Sequence, residues 1–152
     1  MNLDEPTHLG RAVGIDLGSR RIGIAVTDSA GTMAMPRTTV VRSGDRQRDR
    51  RALVDLVLEE EAVVVVVGLP LSLDGSRGTA ATEAADEADA LGVLLAPHDV
   101  RVELFDERLT TVTAHQSLAA GGAGGRKRRG IVDQAAAAVM LSAWLDASRG
   151  RP

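Results

Sequence analysis

The sequence has no cysteine and almost no aromatic side chains. Its 152 residues include no cysteine, no tyrosine, one phenylalanine and one tryptophan. Without cysteine there can be no disulfide, no thiolate metal site and no cysteine nucleophile. With so few rings, aliphatic side chains and alanine must fill the core, and a surface on which nucleic-acid bases stack on aromatic side chains is not expected.

Long apolar runs and a large net charge are also missing. The longest strongly apolar run, 62–67, is far too short to span a bilayer, and residues 1–8 are polar, unlike a secretory signal. The net charge is −3, and 44% of the residues are hydrophobic, as in ordinary globular proteins. We therefore expect a cytoplasmic protein without a membrane partner, with a flexible tail at 1–11 and a single domain at 12–148.

Positive charge is concentrated near the end of the chain. Four consecutive basic residues, Arg126, Lys127, Arg128 and Arg129, follow a glycine-rich stretch. A charge run is usually only a solvated surface. Because this run lies just before Asp133, we interpret it as a basic loop that binds a sugar-phosphate backbone without base specificity.

The hydrophobic pattern predicts alternating strands and helices. Residues 12–17, 22–28 and 33–41 read as three antiparallel strands separated by turn residues. The remaining predicted elements are strands at 62–67 and 100–105 and helices at 45–60, 79–95, 110–119 and 131–147. The order βββαβαβαα predicts an α/β protein with a mixed five-stranded sheet and helices on both faces.

Acidic residues stand at the ends of predicted elements in three separate places. Asp16 lies near the end of the first strand, Asp106 and Glu107 follow the strand at 100–105, and Asp133 opens the last predicted helix. Carboxylates that converge at one sheet edge repel unless divalent cations lie between them, and oxygen ligands suit Mg²⁺ or Mn²⁺. Such ions support phosphodiester hydrolysis. We predict Asp16, Glu107 and Asp133 as catalytic metal ligands, with Asp106 as a substitute for Glu107.

Each of these acids also has a purely structural interpretation. Asp16 could cap a turn, and Asp133 could be an N-cap or first-turn acid that the helix dipole stabilises. Asp106 and Glu107 could form a solvated strand exit in which one of them pairs with Arg108. Their joint occurrence on this order of elements favours the metal site.

A loop rich in glycine and serine follows the predicted central strand. Its backbone N–H groups and Arg77 could contact phosphates, although an ordinary surface loop is the alternative. We interpret Gly18, Gly68 and Gly75 as points where the missing side chain lets a phosphate or a metal-bound water approach the backbone.

Four motifs in order resemble one known family over about 13–145. They are Gly14-Ile15-Asp16-Leu17-Gly18, Val67-Gly68-Leu69-Pro70-Leu71 with Asp74-Gly75-Ser76, Asp106-Glu107-Arg108-Leu109-Thr110, and Val132-Asp133 with Ala135-Ala136. They are similar to the Holliday-junction-resolvase-like family of pre-16S rRNA nucleases, although the glycine-rich stretch 121–125 departs from the usual linker. The resemblance implies a ribonuclease-H-like fold and a metal-dependent nuclease that processes the 5′ end of the 16S rRNA precursor. The family's acids carry over to Asp16, Glu107 (or Asp106) and Asp133.

Three other functions are weighed against a pre-16S rRNA nuclease. The same fold could serve a non-catalytic nucleic-acid-binding or ribosome-assembly module, or a resolvase acting on branched DNA. The hairpin after Asp16 also resembles the phosphate loop of actin-like and sugar-kinase-like ATPases, but the chain is too short for the second domain those proteins require. The expected partner is nucleic acid, either structured RNA or branched DNA, and the pre-ribosome is a candidate partner. The oligomeric state is left open.

Overall fold

The computed structural model describes residues 10–110 and 125–149, with the side chains of 125–129 outside the description. Most of the predicted tail, residues 1–9, lies outside the described residues. So does the predicted helix at 110–119, apart from Thr110.

Five strands form one mixed sheet. They are β1 (Ala12–Leu17), β2 (Arg21–Thr27), β3 (Ala34–Val41), β4 (Val64–Leu69) and β5 (Arg101–Asp106). The spatial order is β3-β2-β1-β4-β5. The first three strands are antiparallel neighbours, whereas β1, β4 and β5 run parallel to one another. The predicted mixed five-stranded sheet is therefore confirmed, with strand ends displaced by one or two residues.

Helices cover both faces of the sheet, as predicted. They are α1 (Arg46–Glu59), α2 (Thr79–Leu95) and α3 (Gly125–Arg149), with 3-10 turns at Ala96–His98 and Glu107–Leu109. Asp45 caps α1 by accepting hydrogen bonds from the backbone N–H groups of Gln47 and Arg48. In the described part of the chain, no helix has both the length and the apolar character needed to cross a membrane.

The last helix begins earlier than the sequence pattern predicts. The prediction placed its start at Ile131, after a basic loop, but α3 begins at Gly125, so the basic residues 126–129 are helical. The prediction that residues 126–129 form a loop is therefore wrong. Arginine and lysine are good helix formers, and the apolar pattern does not mark a helix turn made only of charged residues.

The sheet separates two hydrophobic cores. Val13 and Ile15 face α1 and α2, while Ala12 packs with α3 on the other face. Gly14 also faces α3, because a Cβ placed there would lie 3.0 Å from Leu141 Cβ. Since side chains alternate along a strand, Asp16 faces α3 as well. This alternation directs the first predicted acid to the side of the sheet that α3 covers.

Candidate active site

Asp16 and Glu107 meet at the edge where three parallel strands end. Asp16 is the second-last residue of β1. Glu107 follows β5 directly and begins a 3-10 turn. Their carboxyl groups are joined by a hydrogen bond. Both side chains are half-buried. In open α/β sheets, ligands bind outside the carboxyl ends of parallel strands, which is where this pair lies.

The pair holds a proton when no cation is bound. Burial, the hydrogen bond to Asp16, and the charges of Asp16 and Asp106 together raise the pKa of Glu107 from 4.5 to about 8. At neutral pH a protonated Glu107 therefore donates to the Asp16 carboxylate. A divalent cation can neutralise the pair in place of that proton, and its preferred ligands are carboxylate oxygens of this kind. The residues present fit Mg²⁺ or Mn²⁺.

Two glycines on the strands beside β1 make room for this arrangement. A Cβ at Gly68 on β4 would overlap Glu107 Oε1, and a Cβ at Gly23 on β2 would overlap the backbone carbonyl of Asp133. Gly23 is the direct partner of Asp16 in the β1–β2 ladder. The Glu107 side chain therefore fills the space beside Gly68. From the sequence, we expected a phosphate or a metal-bound water to approach the backbone there.

Asp133 approaches the site with its backbone, but its carboxylate is held by Arg21. Arg21 Nε donates to Asp133 Oδ2 at 2.8 Å, and each side chain is about a quarter exposed. Across residues 10–110 and 125–149, no three acids are positioned to hold one metal ion together. The structure brings Asp16 and Glu107 together and leaves the Asp133 carboxylate on Arg21.

The predicted setting of Asp133 at the start of a helix is wrong. Because α3 begins at Gly125, Asp133 lies two turns inside the helix, beyond the reach of an N-cap or of a dipole effect limited to the first turn. What holds its carboxylate is the ion pair with Arg21.

Asp106 points away from the Asp16–Glu107 pair. Its neighbour Phe105 packs into the core under α3, so alternation along β5 turns Asp106 to the opposite face. There its oxygens accept from the backbone N–H of Arg108 at 2.9 Å and from Arg108 Nη2 at 2.7 Å. These hydrogen bonds, the side-chain one first, lower the pKa of Asp106. The structure thus places Glu107, not Asp106, beside Asp16.

Several backbone amides of the loop after β4 donate hydrogen bonds within the loop. The Gly75 N–H donates to Ser72 O at 2.8 Å, and the Ser76 N–H donates to Asp74 Oδ1 at 2.9 Å. Gly75 has φ +86°, a conformation that favours glycine. These two amides are committed within the loop and do not offer hydrogen bonds to a phosphate, whereas phosphate binding by the other amides of the loop stays a prediction. Arg77 remains exposed at the end of the loop.

Gly18 closes the turn between β1 and β2. Its N–H donates to Arg21 O at 2.9 Å, and a Cβ would overlap that carbonyl. The missing side chain therefore serves a tight chain reversal rather than the approach of a phosphate. Of the predicted basic residues Arg126, Lys127, Arg128 and Arg129, only the helical backbone is described.

Sequence comparisons agree with the motifs. A sequence profile of the family described as RuvX, Holliday junction resolvase, matches residues 10–147. The chain belongs to the RuvX family. A protein of Mycobacterium sp. (strain KMS), named "Putative pre-16S rRNA nuclease", is 47% identical over 92% of this chain and 82% of its own. A protein of Rhodococcus opacus (strain B4) with the same name is 48% identical over 95% of this chain and 81% of its own. The family predicted from the sequence is thus confirmed.

Solved structures share the fold at low sequence identity. RuvC of Thermus thermophilus in complex with a Holliday junction substrate superposes with a TM-score of 0.59 at 14% identity, covering 93% of this chain and 96% of its own. The yeast mitochondrial Holliday junction resolvase Ydc2 gives 0.55 at 12% identity, covering 93% and 80%. The predicted ribonuclease-H-like fold is therefore confirmed.

Sequence reasoning missed Gly23 and Arg21. Arg21 and Asp133 are 112 positions apart in the sequence, and no local pattern predicts a contact between residues so far apart. Gly23 did carry a signal, because a glycine inside an apolar strand often marks a close approach of another backbone.

Gly23→Ala is expected to lower the free energy of unfolding by about 1–3 kcal/mol, because the added methyl group must displace α3 at Asp133. Urea denaturation measures the change. Gly92→Ala in α2 is the control, since nothing lies within 4 Å of a Cβ there, and it should be neutral or stabilise by about 0.5–1 kcal/mol. If Gly23→Ala and Gly92→Ala were equally stable, the backbone of α3 would not be in close contact with β2 at Gly23.

Proposed function

We propose that this chain is a metal-dependent nuclease that hydrolyses phosphodiester bonds of structured RNA and processes the 5′ end of pre-16S rRNA. The observation that carries the proposal is the Asp16–Glu107 pair, two hydrogen-bonded carboxyl groups at the carboxyl ends of parallel strands. Membership of the RuvX family and the names of relatives at 47–48% identity support the nuclease class and the rRNA substrate.

Asp16 and Glu107 would hold Mg²⁺ or Mn²⁺, with Asp133 as a third ligand. When bound, the cation supplies an activated water and stabilises the charge that develops on the phosphate oxygens. Glu107 must release its proton before it can act as a ligand. Asp133 must leave Arg21 before its carboxylate can join the pair, and the freed Arg21 then presents a positive charge beside the site. Arg77 and the basic residues 126–129 would bind the backbone of the RNA.

The setting that follows from this activity is the cytoplasm, where the precursor is part of a maturing ribosomal subunit. We propose the pre-ribosome as the physiological partner because the proposed substrate is a segment of it. The likeness to RuvC bound to a Holliday junction is a likeness of fold, and a fold alone does not determine the substrate. Nothing in the described part of the site favours branched DNA over RNA.

The test is cleavage by the full chain of two end-labelled substrates: a 16S precursor transcript with its 5′ extension, and a four-way DNA junction. Each is incubated with Mg²⁺, with Mn²⁺ or with EDTA. We expect metal-dependent cleavage at the 5′ side of the transcript and none in EDTA. Cleavage of the junction alone would favour the resolvase alternative. Binding without cleavage under either metal is the outcome for a non-catalytic module, and it contradicts the proposal.

A further inference from the structure

A groove lined by arginines lies beside the turn between β1 and β2. Its volume is about 660 Å³. It is lined by Ser19, Arg20, Arg21, Val41, Arg42, Gly44, Arg46 and Asp49. We call it the arginine groove. None of its arginines stood out in the sequence, because they come from two segments of the chain, 19–21 and 41–49, that only the fold brings together.

The arginine groove carries uncompensated positive charge. Within the described residues, Arg20 and Arg46 have neither an ion pair nor a hydrogen bond from their side chains, and both are exposed. Arg42 Nε donates to a backbone carbonyl, Gly18 O, at 2.7 Å, and its charge helps to lower the pKa of Asp49, the one acid that lines the groove. Among the residues that the structure describes, Arg21 is the one lining arginine that pairs with a carboxylate, that of Asp133.

The single acid of the groove is committed elsewhere. Asp49 is buried, and its carboxylate accepts from the Ser43 hydroxyl at 2.7 Å and from the Ser43 N–H at 3.0 Å. These hydrogen bonds fix the connection between β3 and α1. Asp49 thereby shapes the wall of the groove and holds Gly44 and Arg46 in place.

This placement of charge costs local stability. The Arg42 N–H donates to Arg20 O at 2.9 Å, so two arginines lie opposite each other just beyond the end of the β2–β3 pair, where like charges repel. Arg46 is the first residue of α1, where the helix dipole disfavours a cation. A binding role for the groove explains why cations occupy positions that folding alone disfavours.

A neighbouring cavity of about 150 Å³ does not share this character. It shares Arg42 and Arg46 with the arginine groove and also contacts Arg50, but three acids, Glu83, Asp86 and Glu87, line it as well. Arg50 donates to Glu87 Oε2 through Nε at 2.9 Å and Nη2 at 2.7 Å. That cavity is balanced in charge, so a polyanion is expected on the arginine groove and not there.

The groove lies next to the candidate active site. Ser19, on its wall, follows Asp16 by three residues, which span at most about 10 Å. Arg21 joins the two regions directly through its ion pair with Asp133. One extended polynucleotide backbone can therefore contact the groove and the acids together.

We propose that the arginine groove binds the phosphodiester backbone of the substrate strand next to the scissile bond, with Arg20 and Arg46 as phosphate-contacting residues. The inference rests on the proposed nuclease function and adds a binding surface on the side of the β1–β2 turn. Contacts of this kind position the strand and carry no base specificity.

The test measures binding of a labelled RNA hairpin to the full chain in EDTA, by fluorescence anisotropy over a range of salt concentrations. The double variant Arg20→Gln/Arg46→Gln is expected to lower the slope of log K against log[salt] by about 1.4–1.8, since each lost phosphate contact removes roughly 0.7–0.9. Each single variant should give about half of that change. Arg51→Gln, on the exposed side of α1 outside the groove, is the matched control and should retain the wild-type slope.

Three further comparisons make the result decisive. A double Arg→Lys variant keeps the charge and should restore most of the slope, whereas loss of fold would not be rescued in this way. Thermal melting should show the glutamine variants to be as stable as the wild type or more so, because like-charge repulsion is removed. Inorganic phosphate as competitor should displace the RNA only weakly, since the groove is proposed to bind a continuous backbone.

If the double variant keeps the wild-type slope of log K against log[salt], the proposed role of the groove is wrong, even if the wild type cleaves RNA. Conversely, groove-dependent binding without cleavage under any metal would leave the groove standing while the proposed function fails. A wild-type chain that binds no nucleic acid at all would overturn both.

Discussion

Replacing Asp16 with asparagine is expected to reduce metal-dependent RNA cleavage by roughly 10³-fold or more. The amide cannot supply the negative charge that a divalent cation requires, and a catalytic cation contributes several kcal/mol to transition-state stabilisation. Single-turnover cleavage of the labelled 16S precursor transcript in Mg²⁺ or Mn²⁺ measures the loss.

Asp16→Asn should increase the stability of the metal-free protein while it reduces cleavage. Asp16→Asn removes the charge that opposes ionisation of Glu107, so without metal at pH 8 the variant should unfold at a higher urea concentration than the wild type. A loss of activity would then not be a loss of fold. Asp55→Asn, an exposed acid on α1, is the control and should cleave like the wild type. A reduction of less than tenfold in Asp16→Asn would contradict the catalytic assignment.

The sequence predicted most of the fold because the signals for its elements are local. The bounds of α2 agree with the predicted 79–95, where buried alanines and leucines recur at helical spacing. The β-branched run before Gly68 predicted a strand buried on both faces, and β4 is buried along its whole length. The start of α3 was predicted wrongly because its first turns consist mainly of basic residues. Such residues show no periodic apolar pattern from which a helix could be recognised.

The candidate site was predictable only in part. A carboxylate at the end of each of two strands pointed to Asp16 and Glu107, because the carboxyl ends of parallel strands lie at the same edge of a sheet, here on either side of β4. Alternation along β5 then decides between Asp106 and Glu107, once Phe105 is known to face α3. The pairing of Asp133 with Arg21 and the assembly of the arginine groove depend on contacts between distant segments. They follow from how α3 and α1 lie on the sheet, which no single stretch of sequence specifies.

The metal-free protein is expected to lose stability as the pH rises from about 4.5 to about 8. In the unfolded chain Glu107 releases its proton near its ordinary pKa of 4.5, whereas burial and the hydrogen bond to Asp16 raise the folded-state pKa to about 8. Between these values the folded state binds more protons, so the contribution of Glu107 is fully present below 4.5 and is lost as the pH passes 8. The effect is of the order of a few kcal/mol, measurable by urea denaturation in EDTA.

Glu107→Gln should flatten this pH dependence, because an amide donates to Asp16 at every pH. The acids with lowered pKa, among them Asp49 and Asp106, titrate below this range and do not mask it. Mn²⁺ competes with the proton for the same pair, so it should raise the melting temperature of the wild type more at pH 8 than at pH 5.5. It should have a much smaller effect on Glu107→Gln. Equal pH profiles for the wild type and Glu107→Gln in EDTA would show that the two carboxyl groups do not share a proton, and the metal site at the ends of β1 and β5 would lose its physical basis.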